Sequence, residues 1–412
     1  MFQICDFDKC CGCGACENIC PKQCIELQEN EHGVKIPIIN ESMCINCGLC
    51  KQVCPQNSAV ELRESTGCYA ARSKDNAQRL DSASGGVGYM LYKEFLQRSD
   101  APVVCGVKFN ESSVAIFKTT KELDEVEKFR GSKYVQAEVG ELYLDISNAL
   151  KTNHSVLLIA LPCQVAGCLN FLKVKKIDNQ RLYTVDLLCH GVSPQRYLTE
   201  QLEDMKNKHD WKSINLLTFR SNRRFRNYYF YAQATTKKGK TDTVCRHFAG
   251  DPYFYGFLRG VSLRESCYQC SFATRKRVAD LTIGDFIGLG KMPSSPPLEE
   301  NIANPSLILC NTKKGEELLK LIGKNIYLYD RPIEEAVEGG SSLQKPFGRS
   351  NLRNEFLKLY PINGFIKTMD ILTGNLLKKN EIKFGVKAIV KKAVYKLHME
   401  KLVFILTNRS TR

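Results

Sequence analysis

At 412 residues, 43% of them hydrophobic and 25% charged, the chain has a globular composition and room for two or three domains with cores of their own. No apolar run is long enough to cross a bilayer, VLLIAL at 156–161 being the best, and MFQICDFDK lacks the basic and apolar regions of a secretory signal. The expected location is therefore the cytoplasm, where twenty cysteines point to metal or redox chemistry rather than disulfides. The net charge of +15 is uneven: residues 349–412 hold fourteen Lys or Arg against four Asp or Glu, a local excess of +10.

The chain begins with KCCGCGACENICP (9–21), five cysteines in thirteen positions. Cys10-x2-Cys13-x2-Cys16-x3-Cys20-Pro21 recurs 34 residues later as Cys44-x2-Cys47-x2-Cys50-x3-Cys54-Pro55. This is the spacing of a two-cluster bacterial ferredoxin, in which three close thiolates wrap one cubane and the cysteine before proline reaches the other. It predicts one [4Fe–4S] cluster on Cys10, Cys13, Cys16 and Cys54, and a second on Cys44, Cys47, Cys50 and Cys20. A zinc-ribbon pair needs only two C-x2-C pairs and leaves the third cysteine and the C-P dipeptide of each copy unexplained. Cys5, Cys11 and Cys24 fall outside the pattern and read as small packing residues.

Beyond AVELRESTG (59–67) strands alternate with helices. APVVCGVKF (101–109) reads as a strand, SVLLIALPCQVAGCLNFL (155–172) as a strand, a turn at Pro162 and a helix, and RLYTVDLLCHGVSP (181–194) as a strand before the helix PQRYLTEQLEDMKNK. NYYFYAQATTKKGKTDTV (227–244) reads as a hairpin turning at Lys238-Gly239, and DLTIGDFIGLG (280–290) as a strand entering a glycine-rich turn. The pattern predicts an α/β fold, α+β overall, with a mainly parallel sheet behind the ferredoxin-like segment and a basic helical tail.

Cys163 and Cys189 follow two of these strands, and carboxyl ends of neighbouring strands form the crevice of an open α/β sheet. With Cys267-x2-Cys270 they make four thiols, enough for a third cubane. A zinc site using Cys267, Cys270 and His190 or His247, or ordinary buried cysteines at 163 and 189, stand beside that reading.

Together with the ferredoxin segment, DSASGGVGYML (81–91), FRGSKYVQA (129–137), LPCQVAG (161–167), LCHGVSP (188–194) and SCYQCSFATRKRVADLTIGDFIG (266–288) resemble the family of coenzyme F420 hydrogenase/dehydrogenase β-subunits, which includes plant 7-hydroxymethyl chlorophyll reductase. The resemblance covers about residues 1–325 and implies an iron–sulfur flavoprotein that binds FAD. It implies a third [4Fe–4S] cluster on Cys163, Cys189, Cys267 and Cys270 beside the flavin. It also gives Ser84, Gly85, Gly86 and Val87 a role at a helix start that can face a pyrophosphate. Gly131, Ser132, Lys133 and Tyr134 become further flavin contacts, with Lys133 and Asp285 the candidate catalytic groups. The domains implied are 1–63 ferredoxin-like, 64–150 FAD-binding, 151–345 carrying the third cluster, and 346–412 a basic tail.

The function implied is an oxidoreductase passing electrons from ferredoxin, or a similar one-electron donor, through three clusters to FAD. From there they reach a small-molecule or lipid-linked substrate, with surface-polysaccharide or sugar modification as the setting. Its alternative is an electron-relay β-type subunit of a larger hydrogenase or dehydrogenase complex reducing a deazaflavin coenzyme. A non-catalytic zinc scaffold is the third reading, and a homo-oligomer is allowed by all of them. FRSNRRFRNYYFYA (219–232) reads as a polar hairpin rim or a guide for anionic partners rather than a nucleic-acid surface. VKAIVKKAVYKLHMEKLVFIL (386–406) has the form of a basic amphipathic helix. It sets Val386, Ile389, Ala393 and Leu397 on one face and Lys387, Lys391 and Lys392 beside it, for docking on protein or peripherally on an anionic membrane.

Overall fold

The computed structural model describes residues 3–220, 228–297 and 304–396, and at 341 and 385–396 the backbone alone. The tail expectation over 386–406 lies outside the described side chains, as do residues 221–227 of the arginine-rich stretch.

The N-terminal segment holds two one-turn helices, α1 (Ala15–Ile19) and α2 (Leu49–Val53), each opening one residue before the third cysteine of its triplet. Between them β1 (Ile25–Glu29) and β2 (Lys35–Ile39) form an antiparallel pair. The prolines after Cys20 and Cys54 follow the two helices and stop them.

The body follows in chain order: β3 (Gly67–Ser73), α3 (Asn76–Leu80), α4 (Val87–Phe95), β4 (Pro102–Phe109), β5 (Ala115–Thr120), α5 (Leu123–Glu127), α6 (Leu142–Lys151), β6 (Ser155–Ala160), α7 (Pro162–Val174), β7 (Leu182–Leu187) and α8 (Gln195–His209). Next come β8 (Trp211–Thr218), β9 (Tyr229–Thr236), β10 (Thr241–His247), α9 (Pro252–Leu258), β11 (Leu281–Asp285), β12 (Ser306–Cys310), α10 (Lys313–Ile322), β13 (Ile326–Asp330) and α11 (Ile333–Gly339). Last is α12 (Arg353–Lys396), two helical stretches meeting at Gly364, whose φ of 70° breaks the helix.

Eight strands form one sheet in the order β13-β3-β12-β11-β7-β6-β4-β5. β4, β6, β7 and β11 run parallel at its centre, whereas β5 on one side and β12, β3 and β13 on the other pair antiparallel. The sheet is thus mixed rather than mainly parallel. The reason is topological: β3 slots between β12 and β13, which α10 joins, and it runs against both. β6 is buried along its whole length, as a central strand covered on both faces must be, which explains its unbroken apolar run.

α4 and α10 cover one face, through Val87, Leu91, Phe95, Leu318 and Ile322. α6 and α7 cover the other, and Ala15, Ile19 and Val53 of the ferredoxin segment join that same core. The two pieces are also tied by polar bonds: Tyr143 donates to the Cys13 carbonyl at 2.7 Å, and Asn170 to that of Ser58 at 2.9 Å. β8, β9 and β10 make a separate antiparallel sheet, with the hairpin turning at Gly239 (φ 75°) as expected.

Candidate redox site

Short cysteine-rich loops cannot bury a core of their own, so their thiols turn inward on a common void. Cys10, Cys13, Cys16 and Cys54 surround one void, and Cys20, Cys44, Cys47 and Cys50 another. Each void thus takes three cysteines from one motif and the pre-proline cysteine of the other. Gly14 and Gly48, with φ of 72° and 74°, turn the chain from each loop into its helix.

A third void is ringed by Cys163, Cys189, Cys267 and Cys270. Cys163 stands in the first turn of α7, just beyond β6, and Cys189 just beyond the neighbouring parallel strand β7, so the sheet brings the two together. Backbone amides point at the sulfurs: Gly191 N–H donates to Cys189 Sγ at 3.3 Å and Val192 N–H to Cys267 Sγ at 3.4 Å. Burial pushes these two thiols up, Cys267 to about 12, so a cationic centre is needed to make thiolates of them at neutral pH. Such a donor set suits iron.

Among the described residues no three His, Cys, Asp or Glu side chains form a group that could hold a single metal ion. His190 does border the third void, but its Nε2 lies 3.2 Å from the Phe257 carbonyl oxygen, and burial lowers its pKa to about 4. His247 has no part in the void; it stacks on Phe384 at 3.7 Å between ring centroids.

The three cysteines outside the repeat are not inert fillers elsewhere. Cys5 borders the first void, where the neighbouring Cys10 and Cys54 thiols push its own thiol up, and Cys24 Sγ lies 3.4 Å from Cys20 Sγ beside the second. Cys11 borders both the first and the third voids, and the neighbouring Cys13 and Cys163 thiols hold its own thiol well below the usual range. Nothing in the local spacing marks this, because Cys163 is distant in sequence.

Sharing a wall with the third void is a large apolar cavity of about 410 Å³, within the range of ligand pockets. Leu161, Cys189, His190 and Gly191 belong to both walls. Ser84, Gly86, Val87, Gly131, Ser132, Lys133, Tyr134 and Asp285 all line it. Gly85 sits behind the wall instead: its N–H donates to Ser306 Oγ at 3.1 Å, and a side chain there would strike the Ala71 carbonyl. Gly86 (φ 88°) opens α4 toward the cavity, and Gly131 (φ 78°) leaves open space beside it.

The cavity is basic on one side. Lys133 donates to the carbonyls of Lys128 and Arg130 at 2.9 and 2.8 Å, and desolvation lowers its pKa to about 7. Arg130 is anchored to Glu127 and the Gln78 carbonyl, at 2.7 Å each, while its buried Nε has no partner and could serve an anionic ligand. Tyr134 does stack, but on Phe257 (4.9 Å) and Phe254 (5.4 Å), so it buttresses the wall. Asp285 is engaged by Arg220 and by the Tyr228 hydroxyl at 3.0 Å, with Arg220 over the Tyr228 ring. Arg220, Tyr228 and Phe257 escaped the sequence reading; the first two lie in the arginine–aromatic stretch set aside there as a hairpin rim. A flavin-sized group with a diphosphate fits this cavity: a glycine-opened helix start, two basic side chains, an unpartnered buried donor and an apolar remainder.

Residues 153–336 match the family model for the C terminus of the coenzyme F420 hydrogenase/dehydrogenase beta subunit, and residues 9–58 that for the 4Fe-4S dicluster domain. The chain is 24% identical over 200 residues to the F subunit of the F(420)H(2) dehydrogenase of Methanosarcina mazei, a match covering 45% of this chain and 55% of that one. It thus spans about half the length of the curated relative it matches. The F420-reducing [NiFe] hydrogenase complex from Methanosarcina barkeri, studied under xenon, aligns at TM-score 0.41 and 17% identity, over 75% of this chain and 92% of that chain. No described helix is long and apolar enough to cross a membrane. The chain is thus similar to the coenzyme F420 hydrogenase/dehydrogenase β-subunits over residues 153–336 and matches a 4Fe-4S dicluster domain over residues 9–58.

Proposed function

We propose that this chain is an iron–sulfur electron-transfer subunit that links a one-electron partner to a flavin in the apolar cavity, serving reduction or oxidation of a deazaflavin-type coenzyme within a larger complex. Cubanes pass single electrons and a flavin stores two, so together such groups would join one- and two-electron chemistry. Cys10, Cys13, Cys16 and Cys54 would hold one cluster, Cys44, Cys47, Cys50 and Cys20 the second, and Cys163, Cys189, Cys267 and Cys270 the third. FAD is the flavin we assign, with Gly86, Val87, Arg130 and Lys133 around its diphosphate.

One observation carries the reading: the first and third thiol-ringed voids and the cavity are consecutive neighbours. Cys11 borders the first and third voids, and Cys189 and His190 border the third void and the cavity. At the other end Cys47 is exposed, flanked by exposed Met43 and Ile45, a surface suited to a protein that exchanges electrons, ferredoxin among them. We divide the chain functionally as 1–63, 64–150, 151–345 and the tail 346–412.

The name of the Methanosarcina mazei relative favours F420 chemistry in a complex over a free-standing enzyme of surface-polysaccharide modification. Anaerobic assay of the isolated chain with dithionite and a deazaflavin coenzyme tests this. The relay reading predicts bleaching of flavin and clusters and slow or no turnover until partner subunits are added. Full turnover of a sugar substrate by the chain alone would overturn it.

A further inference from the structure

Three arginines are among the largest fully buried side chains: Arg264, Arg277 and Arg353. Arg277 is paired with Asp186 at 3.0 Å and Arg353 with Glu265 at 3.7 Å. Among the described residues no carboxylate lies within ion-pairing distance of Arg264. A buried guanidinium with no counter-charge is costly, and such groups persist only where something anionic meets them.

The surroundings of Arg264 say what that is. Its Nε donates to the Cys10 carbonyl at 2.6 Å and its Nη2 to Cys10 Sγ at 3.4 Å and the Lys35 carbonyl at 2.7 Å. Nη1 donates to Gln136 Oε1 at 3.0 Å, and Gln136 Nε2 in turn holds the carbonyls of Cys11 and Gly12. Through its backbone the same residue meets the third site: its carbonyl accepts from Cys267 N–H at 3.0 Å, and its N–H donates to the Val192 carbonyl at 2.8 Å. A side chain at Gly12 would strike both Gln136 and Arg264, so the close seat requires glycine there (φ 63°).

We propose, on the iron–sulfur reading above, that Arg264 is the built-in counter-charge of the cluster held by Cys10, Cys13, Cys16 and Cys54. It holds that cluster at a higher reduction potential than its repeat-related twin on Cys44, Cys47, Cys50 and Cys20. The two cysteine motifs have the same spacing, yet among the described residues only the first has a buried cation on a ligand sulfur. Burial alone would make the first cluster the harder to reduce, since added negative charge is worse solvated there; a guanidinium hydrogen-bonded to the sulfur opposes this. The consequence is a step in potential directed inward, from the exposed second site toward the third site and the cavity.

The test is a redox titration followed by electron paramagnetic resonance on the anaerobically isolated full chain, wild type, Arg264→Gln and Arg264→Lys, with iron and sulfide measured on each. Signals are assigned by which one Cys10→Ser or Cys47→Ser perturbs. The first-site cluster is expected to have the higher midpoint in wild type, to shift negative in Arg264→Gln and to stay close to wild type in Arg264→Lys, the others unmoved. An unmoved midpoint in Arg264→Gln at full iron content overturns the proposal. So does a wild-type order with the first site lower, which decides the matter even if Arg264→Gln loses iron. Wild-type protein without iron or labile sulfide sinks instead the reading on which the proposal stands.

Discussion

Cys11, from the ferredoxin segment, and Cys163, at the start of α7, both border the third void, and the neighbouring Cys11 thiol is the main cause of the raised Cys163 thiol. This pair is where the first and third voids adjoin, and it makes ligand identity testable. Cys163→Ser or Cys270→Ser should each remove about a third of the iron and leave the N-terminal pair of clusters intact. Cys11→Ser should keep it all. Iron loss from Cys11→Ser with retention in Cys163→Ser would reassign the third site.

Asp186 and Arg277 form an ion pair from which water is excluded, with side chains 0% and 2% exposed. Arg277 also donates to the carbonyls of Phe272 and Thr274, so the pair holds the loop that carries Cys270. Removing the carboxylate strands a buried cation, which typically costs about 3–5 kcal/mol. Asp186→Ala is therefore expected to melt well below wild type under anaerobic thermal unfolding. A melting temperature equal to that of Asp178→Ala, an exposed control, would contradict this.

Desolvation lowers the Lys133 ammonium to about 7. A positive Lys133 favours an anionic diphosphate and a neutral one does not, so flavin affinity in the apoprotein should fall as pH rises through and above 7. Lys133→Met should bind flavin roughly tenfold more weakly at pH 6.5, about 1.4 kcal/mol, and lose most of that pH dependence. Fluorescence titration with FAD at several pH values reads both effects; parallel curves for the two proteins would remove Lys133 from the site.

Asp251 is fully buried at the start of α9, and burial raises its carboxyl to about 6 although it accepts from Phe254 N–H at 2.9 Å and from Gln201. The folded state then binds the extra proton between the ordinary carboxyl value and about 6. Stability should fall as pH climbs through that window, by roughly 3 kcal/mol at most. Asp251→Asn should flatten the slope in chemical unfolding measured from pH 4.5 to 7. An unchanged slope would show that other groups set it.

Local pattern carried part of the account and long-range pairing the rest. The two ferredoxin motifs were legible in the sequence, and Cys54 lines the void of the first motif and Cys20 that of the second, because the repeat sets residue type and spacing within a few positions. β6 and the start of α7 at Pro162 were legible as well, the one from its unbroken apolar run and the other from proline's place at a first helical turn. β3, β12 and β13 were not: each is a short segment whose place depends on a partner far along the chain, and their antiparallel pairing turned an expected parallel sheet into a mixed one. The cavity residues at 84–87 and 131–134 were reached through family resemblance, and Gly85 proved to pack behind the wall. Arg264 and Cys11 were unreadable for one reason: their significance lies in what they touch across the domain junction.

Iron, acid-labile sulfide and flavin counted on anaerobically purified protein test the central claim most directly. The account predicts about twelve irons and twelve sulfides per chain, from three cubanes, with one flavin. About eight irons with bound zinc, or a colourless protein without flavin, would contradict it.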